Sequence, residues 1–252
     1  MATGLAGKGR LIAAIVVMGV IALVGGVLWA NHRDRITPPP SEPISLNLSR
    51  APEHPTLAVL GDNYAAGYGP GWSSGWVRLL SDRMCWTLMP VSGEHGAGAE
   101  GGTGFTTAGR DPGMARYADR VTAVTAGNPR VVLVEGGLND QGAPTSQEIT
   151  DAAAKTFIAV KERGTGTVIA IGPLLTPYPY TVPEEVARVS GAIATAAEAV
   201  GIPYIDPVAE HWLDDRRLFG ADLVHPNTDG YREYAQRLID KFTLIGVESG
   251  CK

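Results

Sequence analysis

Four short segments hold residues whose types and spacing could carry out chemistry. In Asp222-Leu223-Val224-His225-Pro226-Asn227 an aspartate stands three residues before a histidine. That spacing can set a carboxylate against an imidazole and orient it as a general base. The bland alternative is an acidic turn with an incidental histidine. Pro226 fixes the turn just ahead of a helical pattern, company that His32, His54, His95 and His211 lack. The segment Gly61-Asp62-Asn63-Tyr64-Ala65-Ala66-Gly67 reads as a tight strand-to-helix turn. Such a turn exposes the side chain at position 63 beside free backbone N–H groups. The glycines of Gly101-Gly102-Thr103-Gly104-Phe105 let a backbone approach a ligand and aim N–H donors at it. Taken alone they read equally as a flexible loop. Finally, residues 131–140 read VVLVEGGLND, so Asn139 follows two glycines at a strand end. A side-chain amide there can donate to a developing oxyanion, or simply cap its own turn. Asp140 is read as capping or beginning the next segment.

These segments need a scaffold, and the flanking pattern supplies one. From Thr56 onward short apolar runs alternate with helical patterns. Strands are expected over 57–60, 87–91, 131–135, 168–171 and 204–205. Helices are expected over 75–83, 115–126, 146–162, 184–200 and 228–242. Strand–helix alternation argues for a parallel sheet with helices on both faces. Such sheets place their sites at the carboxyl ends of the strands, and each of the four segments sits at or near such an end.

In order and placement, the four segments resemble the SGNH (GDSL-like) hydrolase family. The resemblance spans residues 56–242 and rests on GDxxxxG, GGTGF, GGLND and DLVHP. Gly75-Trp76, Gly172-Pro173 and Ile205-Asp206-Pro207 fit it as well. It implies a three-layer α/β/α, flavodoxin-like fold with about five parallel strands, and ester hydrolysis through an acyl-enzyme. Carried over by position, Asp222 and His225 match the acid and base. Asn139 matches one oxyanion donor, and Gly102 or Gly104 matches the glycine donor. The implied partner is a small acylated molecule: an ester, an acyl-glycan or a lipid.

The pattern breaks at Asn63, where the family carries its nucleophilic serine. An amide nitrogen has a delocalised lone pair and cannot replace a hydroxyl that histidine deprotonates. Loss of a triad nucleophile typically removes about 10⁶ of rate. Catalytic impairment, or a ligand-binding pseudoenzyme, is therefore expected. The alternatives are an active hydrolase in which His225 activates water, an acyltransferase-like variant with another nucleophile, and a non-catalytic envelope scaffold. Ser73 and Ser74 lie about ten residues beyond Asn63 and are expected to be carried away from the pocket. Tyr178, Tyr180 and Trp212 are read as pocket-lining or packing residues.

Residues 11–30 read LIAAIVVMGVIALVGGVLWA, without a charge. About 20 apolar residues span a bilayer core as a helix. A cleaved signal peptide would have a shorter apolar region and a small-residue cleavage site. An uncleaved anchor is the preferred reading, with residues 1–10 cytoplasmic and the domain outside. Residues 31–55 are proline-rich and read as a semi-rigid stalk. The folded domain is placed at 56–245 and a C-terminal tail at 246–252. Cys85 and Cys251 form either a disulfide tying down that tail or two free thiols, since sequence does not supply the Cα separation.

Net charge is -5 with no basic block, so nucleic-acid binding has no electrostatic footprint. The two cysteines lie in no Cys/His cluster, so no metal site is expected. No P-loop appears and no GxGxxG follows the first strand, so no cofactor is expected.

Overall fold

The computed structural model describes residues 54–90, 98–143, 145–163, 166–174, 177 and 182–251. The chain divides into two units, Met1–Ile44 and Ser45–Lys252, and the described residues all lie in the second. The expected anchor at 11–30, nearly all of the stalk, and Tyr178 and Tyr180 fall outside them. No helix among the described residues is long and apolar enough to cross a membrane.

Five strands form one sheet: β1 Thr56–Leu60, β2 Thr87–Leu88, β3 Val131–Glu135, β4 Thr167–Ile171 and β5 Tyr204–Ile205. Their order is β2-β1-β3-β4-β5 and every pairing is parallel. Five helices alternate with them: α1 Trp76–Met84, α2 Tyr117–Val124, α3 Ser146–Arg163, α4 Glu184–Val200 and α5 Thr228–Leu244. β1, β3 and β4 read as near-continuous apolar runs because both faces are covered. Leu57, Val59, Val131, Leu133, Ile169 and Ile171 pack on one side with residues of α1 and α5. Ala58, Leu60, Val132, Val134, Val168 and Ala170 pack on the other with α2, α3 and α4. This is the expected three-layer α/β/α arrangement. The second strand is shorter than expected and pairs with β1 at only two positions, Thr56–Thr87 and Leu57–Leu88.

The strand order fixes where a site can form. The chain leaves β1 toward the β2 edge, then returns past it to β3. β1 and β3 are therefore neighbours whose onward connections run in opposite directions. That reversal opens a crevice at their carboxyl ends. The Gly61-Asp62-Asn63 turn follows β1, and Gly136-Gly137 leads from β3 into a 3₁₀ turn, Leu138–Gly142, that carries Asn139.

The C-terminal segment is pinned rather than loose. Val247 is buried, and Gly250 N–H donates to Met84 O at 2.8 Å. Cys85 and Cys251 are joined in a disulfide with a Cα separation of 5.1 Å. Cys85 closes α1 in the left-handed region, φ 52°, which turns the chain out of the helix and toward Cys251.

Candidate active site

After β1 the chain makes a tight helical turn: Ala66 N–H donates to Asp62 O at 3.0 Å, and Tyr68 N–H to Asn63 O at 3.0 Å. The Asp62 carboxylate, fully buried, accepts Tyr64 N–H at 3.0 Å through Oδ1. Its Oδ2 accepts Asn139 Nδ2 at 3.1 Å. Asp62 therefore bolts the β1 turn to the β3 turn. Burial raises its pKa to about 7, with Asp140 adding to the rise and the Tyr64 N–H, Arg120 and Asn139 opposing it.

Asn63, Gly102 and Asn139 line one cleft of about 500 Å³, together with Tyr68, Arg110, Asp111 and Met114. Within it, the Asn63 amide oxygen accepts Gly102 N–H at 2.6 Å. The two glycines left open by the sequence are now distinguished. Gly102 lies in the left-handed region, φ 70°, and presents its N–H to the cleft. Gly104 spends its N–H on Thr107 O at 2.8 Å, and a β-carbon there would collide with the Asp140 carboxylate. Gly104 is thus a tightly packed position whose N–H is engaged within the loop. The Asn139 side chain spends both amide hydrogens, on Asp62 Oδ2 and on Thr103 O at 2.9 Å.

The Asp222–His225 segment meets the cleft's wall. Asp222 Oδ1 accepts Val224 N–H and His225 N–H, both at 3.0 Å. Its Oδ2 lies 2.7 Å from His225 Nδ1. The carboxylate thereby folds its own turn and holds the ring through Nδ1–H, leaving Nε2 as the nitrogen able to take a proton. The hydrogen bond from His225, with the backbone N–H groups, lowers the Asp222 pKa to about 2. Leu223 takes the left-handed region, φ 54°, a conformation that costs a non-glycine residue energy and lets this turn close. The His225 ring packs beside Tyr64 and Tyr68, with centroids 5.8 and 5.6 Å away. Tyr68 also lines the cleft, so it joins the Asp222–His225 pair to the surface that holds Asn63. Tyr64 Oη donates to Val224 O at 3.2 Å and Tyr231 Oη to Tyr68 O at 2.8 Å.

Several supporting residues escaped the sequence reading. Asp140 does not merely cap a turn. It is fully buried and accepts Phe105 N–H, Thr106 N–H and Thr106 Oγ1–H at 2.9, 2.8 and 2.7 Å. It clamps the glycine loop against the β3 turn. Arg120, buried on α2, donates to Gly98 O, to Gly61 O at 3.1 Å and to Thr103 Oγ1 at 2.8 Å. It ties the same loop to the end of β1. A sequence signal existed: Arg120 shares a helical face with Tyr117, Val121 and Val124, all buried. A charge on an apolar stripe announces a buried network. Trp212 is a packing residue, buried edge-on against Tyr234, with Nε1–H donating to Glu210 Oε2 at 3.0 Å. Ser73 and Ser74 sit in a 3₁₀ turn ahead of α1, not inside a helix, and neither lines the cleft.

Comparison with known proteins follows the same lines. The model of the GDSL-like lipase/acylhydrolase family matches residues 59–233. The chain is 29% identical over 242 residues to the GDSL lipase Rv0518 of Mycobacterium tuberculosis, covering 92% of this chain and 96% of that protein. Its fold is similar to that of a Lactobacillus plantarum protein, with TM-score 0.61, 16% identity and coverage of 75% and 97%. It is also similar to the psychrotrophic esterase EstA from a Pseudoalteromonas species, with TM-score 0.59, 18% identity and coverage of 75% and 96%.

Proposed function

The chain belongs to the GDSL-like lipase/acylhydrolase family, and within it we propose a membrane-anchored, extracytoplasmic member that binds an acylated ligand with little or no turnover. One observation carries this reading: Asn63 Oδ1 already holds Gly102 N–H at 2.6 Å. In an ester hydrolase of this plan, that N–H would polarise the substrate carbonyl. Asn63 therefore removes the nucleophile and also occupies the donor. Asn139 is drawn the same way, because both its amide hydrogens are engaged inside the protein. The disulfide supports export, since such bridges persist in oxidising compartments. The apolar run at 11–30 supplies an anchor.

A second reading is favoured by the intact Asp222–His225 contact at 2.7 Å. A histidine held in one tautomer can activate water, so direct hydrolysis is the competing activity.

Esterase assay of the purified protein on short p-nitrophenyl esters separates the two. The natural chain should be nearly inert, and Asn63→Ser should gain at least about 10³ in rate. Serine is smaller than asparagine, restores the hydroxyl and releases Gly102 N–H. The gain should vanish in Asn63→Ser, His225→Ala. A natural chain that hydrolyses esters and loses that activity on His225→Ala establishes the water route. A folded but inert Asn63→Ser removes the hydrolase-frame reading and favours a scaffold.

A further inference from the structure

A second groove adjoins the cleft. Its volume is about 710 Å³, and it shares Thr107 and Asn139 with the cleft. One wall is the face of α3 that carries Glu148, Asp151, Ala152 and Lys155, at positions i, i+3, i+4 and i+7, so that they lie along one side of a helix. The opposite side includes Arg116, just before α2, and Phe105.

The charges of the two depressions balance. Arg110 and Asp111 line the cleft; Arg116, Lys155, Glu148 and Asp151 line the groove. Glu148 accepts from Thr145 N–H at 3.2 Å, and Asp151 accepts from Gln147 Nε2 at 2.8 Å. The side chains of Arg110, Asp111, Arg116 and Lys155 have no ion-pair or hydrogen-bond partner among the described residues. The lining thus carries three cations and three carboxylates, with no excess of either sign.

We infer that the cleft and groove together form an extended site for a neutral oligosaccharide, with an acyl-bearing sugar at Asn63 and Gly102 and further sugars along α3. This rests on the reading of the cleft as an acyl-ligand site. The chemistry favours it over three alternatives. A sugar hydroxyl both donates and accepts, so it suits a lining that holds carboxylates and cations in equal number. A polyanion would meet as many carboxylates as cations. A long acyl chain would desolvate these charged groups without replacing their hydrogen bonds. A peptide bound as an added strand needs an exposed sheet edge, and the named walls are a helix and loops.

The test is calorimetry on the full chain in detergent, with four probes. These are a mono-O-acetylated xylotetraose, an O-acetylated xylose that fills only the cleft, octanoate and trialanine. Asp151→Ala and Lys155→Ala change exposed positions within α3 and should fold normally. Each should weaken the tetraose about tenfold and leave the acetylated xylose unchanged. Tetraose binding that is absent, or indifferent to both substitutions, overturns the inference. So does octanoate or trialanine binding that these substitutions disturb while the tetraose is unaffected. The underlying reading fails separately. An inert Asn63→Ser with groove-dependent tetraose binding removes the hydrolase frame alone. An active Asn63→Ser with no groove dependence removes the oligosaccharide site alone.

Discussion

The side-chain oxygen of Asn63 accepts the backbone N–H of Gly102 at 2.6 Å, across 39 residues of sequence. The asparagine is long enough to reach the N–H that, on the proposed reading, an ester carbonyl would use. Shortening it to Asn63→Ala frees that N–H without supplying a nucleophile. A hydrogen bond to a charged group contributes about 1.5–3 kcal/mol. Methylphosphonate, a small anion, should therefore bind Asn63→Ala about tenfold or more tightly than the natural chain in an NMR titration. Equal affinity would show that Asn63 does not obstruct the donor.

Asp140 makes a different demand. It is 0% exposed and satisfies two backbone N–H groups and one hydroxyl of the glycine loop. Asp140→Ala leaves these donors unpaired, at roughly 1–3 kcal/mol for each group that stays buried. A loss of about 2–4 kcal/mol in urea unfolding is expected, because part of the loop can move to water. Asp140→Asn keeps one acceptor oxygen and should lose less. A loss below about 0.5 kcal/mol for Asp140→Ala would mean that the loop holds itself.

The scaffold was legible in the sequence for physical reasons, and the site's support was not. β1, β3 and β4 lie buried on both faces, so each is a near-continuous apolar run, and they fall within one residue of expectation. α3 and α4 start at Ser146 and Glu184 as the pattern places them. β2 covers two residues where the apolar pattern suggests five, and pairs with β1 only through Thr87 and Leu88. The 3₁₀ turns at Trp72–Ser74 and Arg216–Leu218 are too short to show any period. Asn63 and Asn139 could be named because each follows glycine at a strand end, and Asp222 and His225 because of their spacing and the Pro226 turn that comes next. Gly102 and Gly104 share one loop, and only their folded surroundings, the Asn63 oxygen at one and Thr107 O with Asp140 at the other, tell them apart. The reach of Asp62 to Asn139 spans 77 residues, which no local pattern encodes.

The Cys85–Cys251 bridge, with a sequence separation of 166, ties the tail to the end of α1. Cross-links of this kind contribute about 2–5 kcal/mol. Cys251→Ser should lower the unfolding midpoint accordingly, and dithiothreitol should do the same to the natural chain. The bridge also tests export. In growing cells, thiols trapped with an alkylating reagent before lysis should include neither cysteine. Full labelling of both would place the domain in a reducing compartment and remove the extracytoplasmic reading.

Glu135 ends β3 with its side chain 0% exposed, and neither carboxylate oxygen has a hydrogen-bond partner among the described residues. Burial pushes its pKa well above the usual carboxylate range, and the charge of nearby Asp62 pushes it further. Asp62 shifts the same way, to about 7. For an acid whose pKa is higher folded than unfolded, the folded state keeps its proton while the unfolded chain loses it. The unfolded carboxyls titrate near 4, so above that pH folding must take up protons. Stability should therefore be greatest below about pH 4 as far as these two groups are concerned, and should fall as pH rises through the neutral range. Asp222 works in the opposite sense: its lowered pKa removes stability only as pH drops from near 4 toward 2, outside the neutral window. Glu135→Gln supplies a neutral side chain of nearly the same shape, a permanent copy of the protonated acid. Urea midpoints of Glu135→Gln and the natural chain should agree near pH 4.5 and diverge steadily toward pH 8, with the variant the more stable. Asp62 should leave a residual slope in the variant that flattens above about pH 7. A natural chain whose midpoint rises from pH 5 to 8, or a variant that tracks it in parallel, would mean that Glu135 is ionised and solvated in the folded protein.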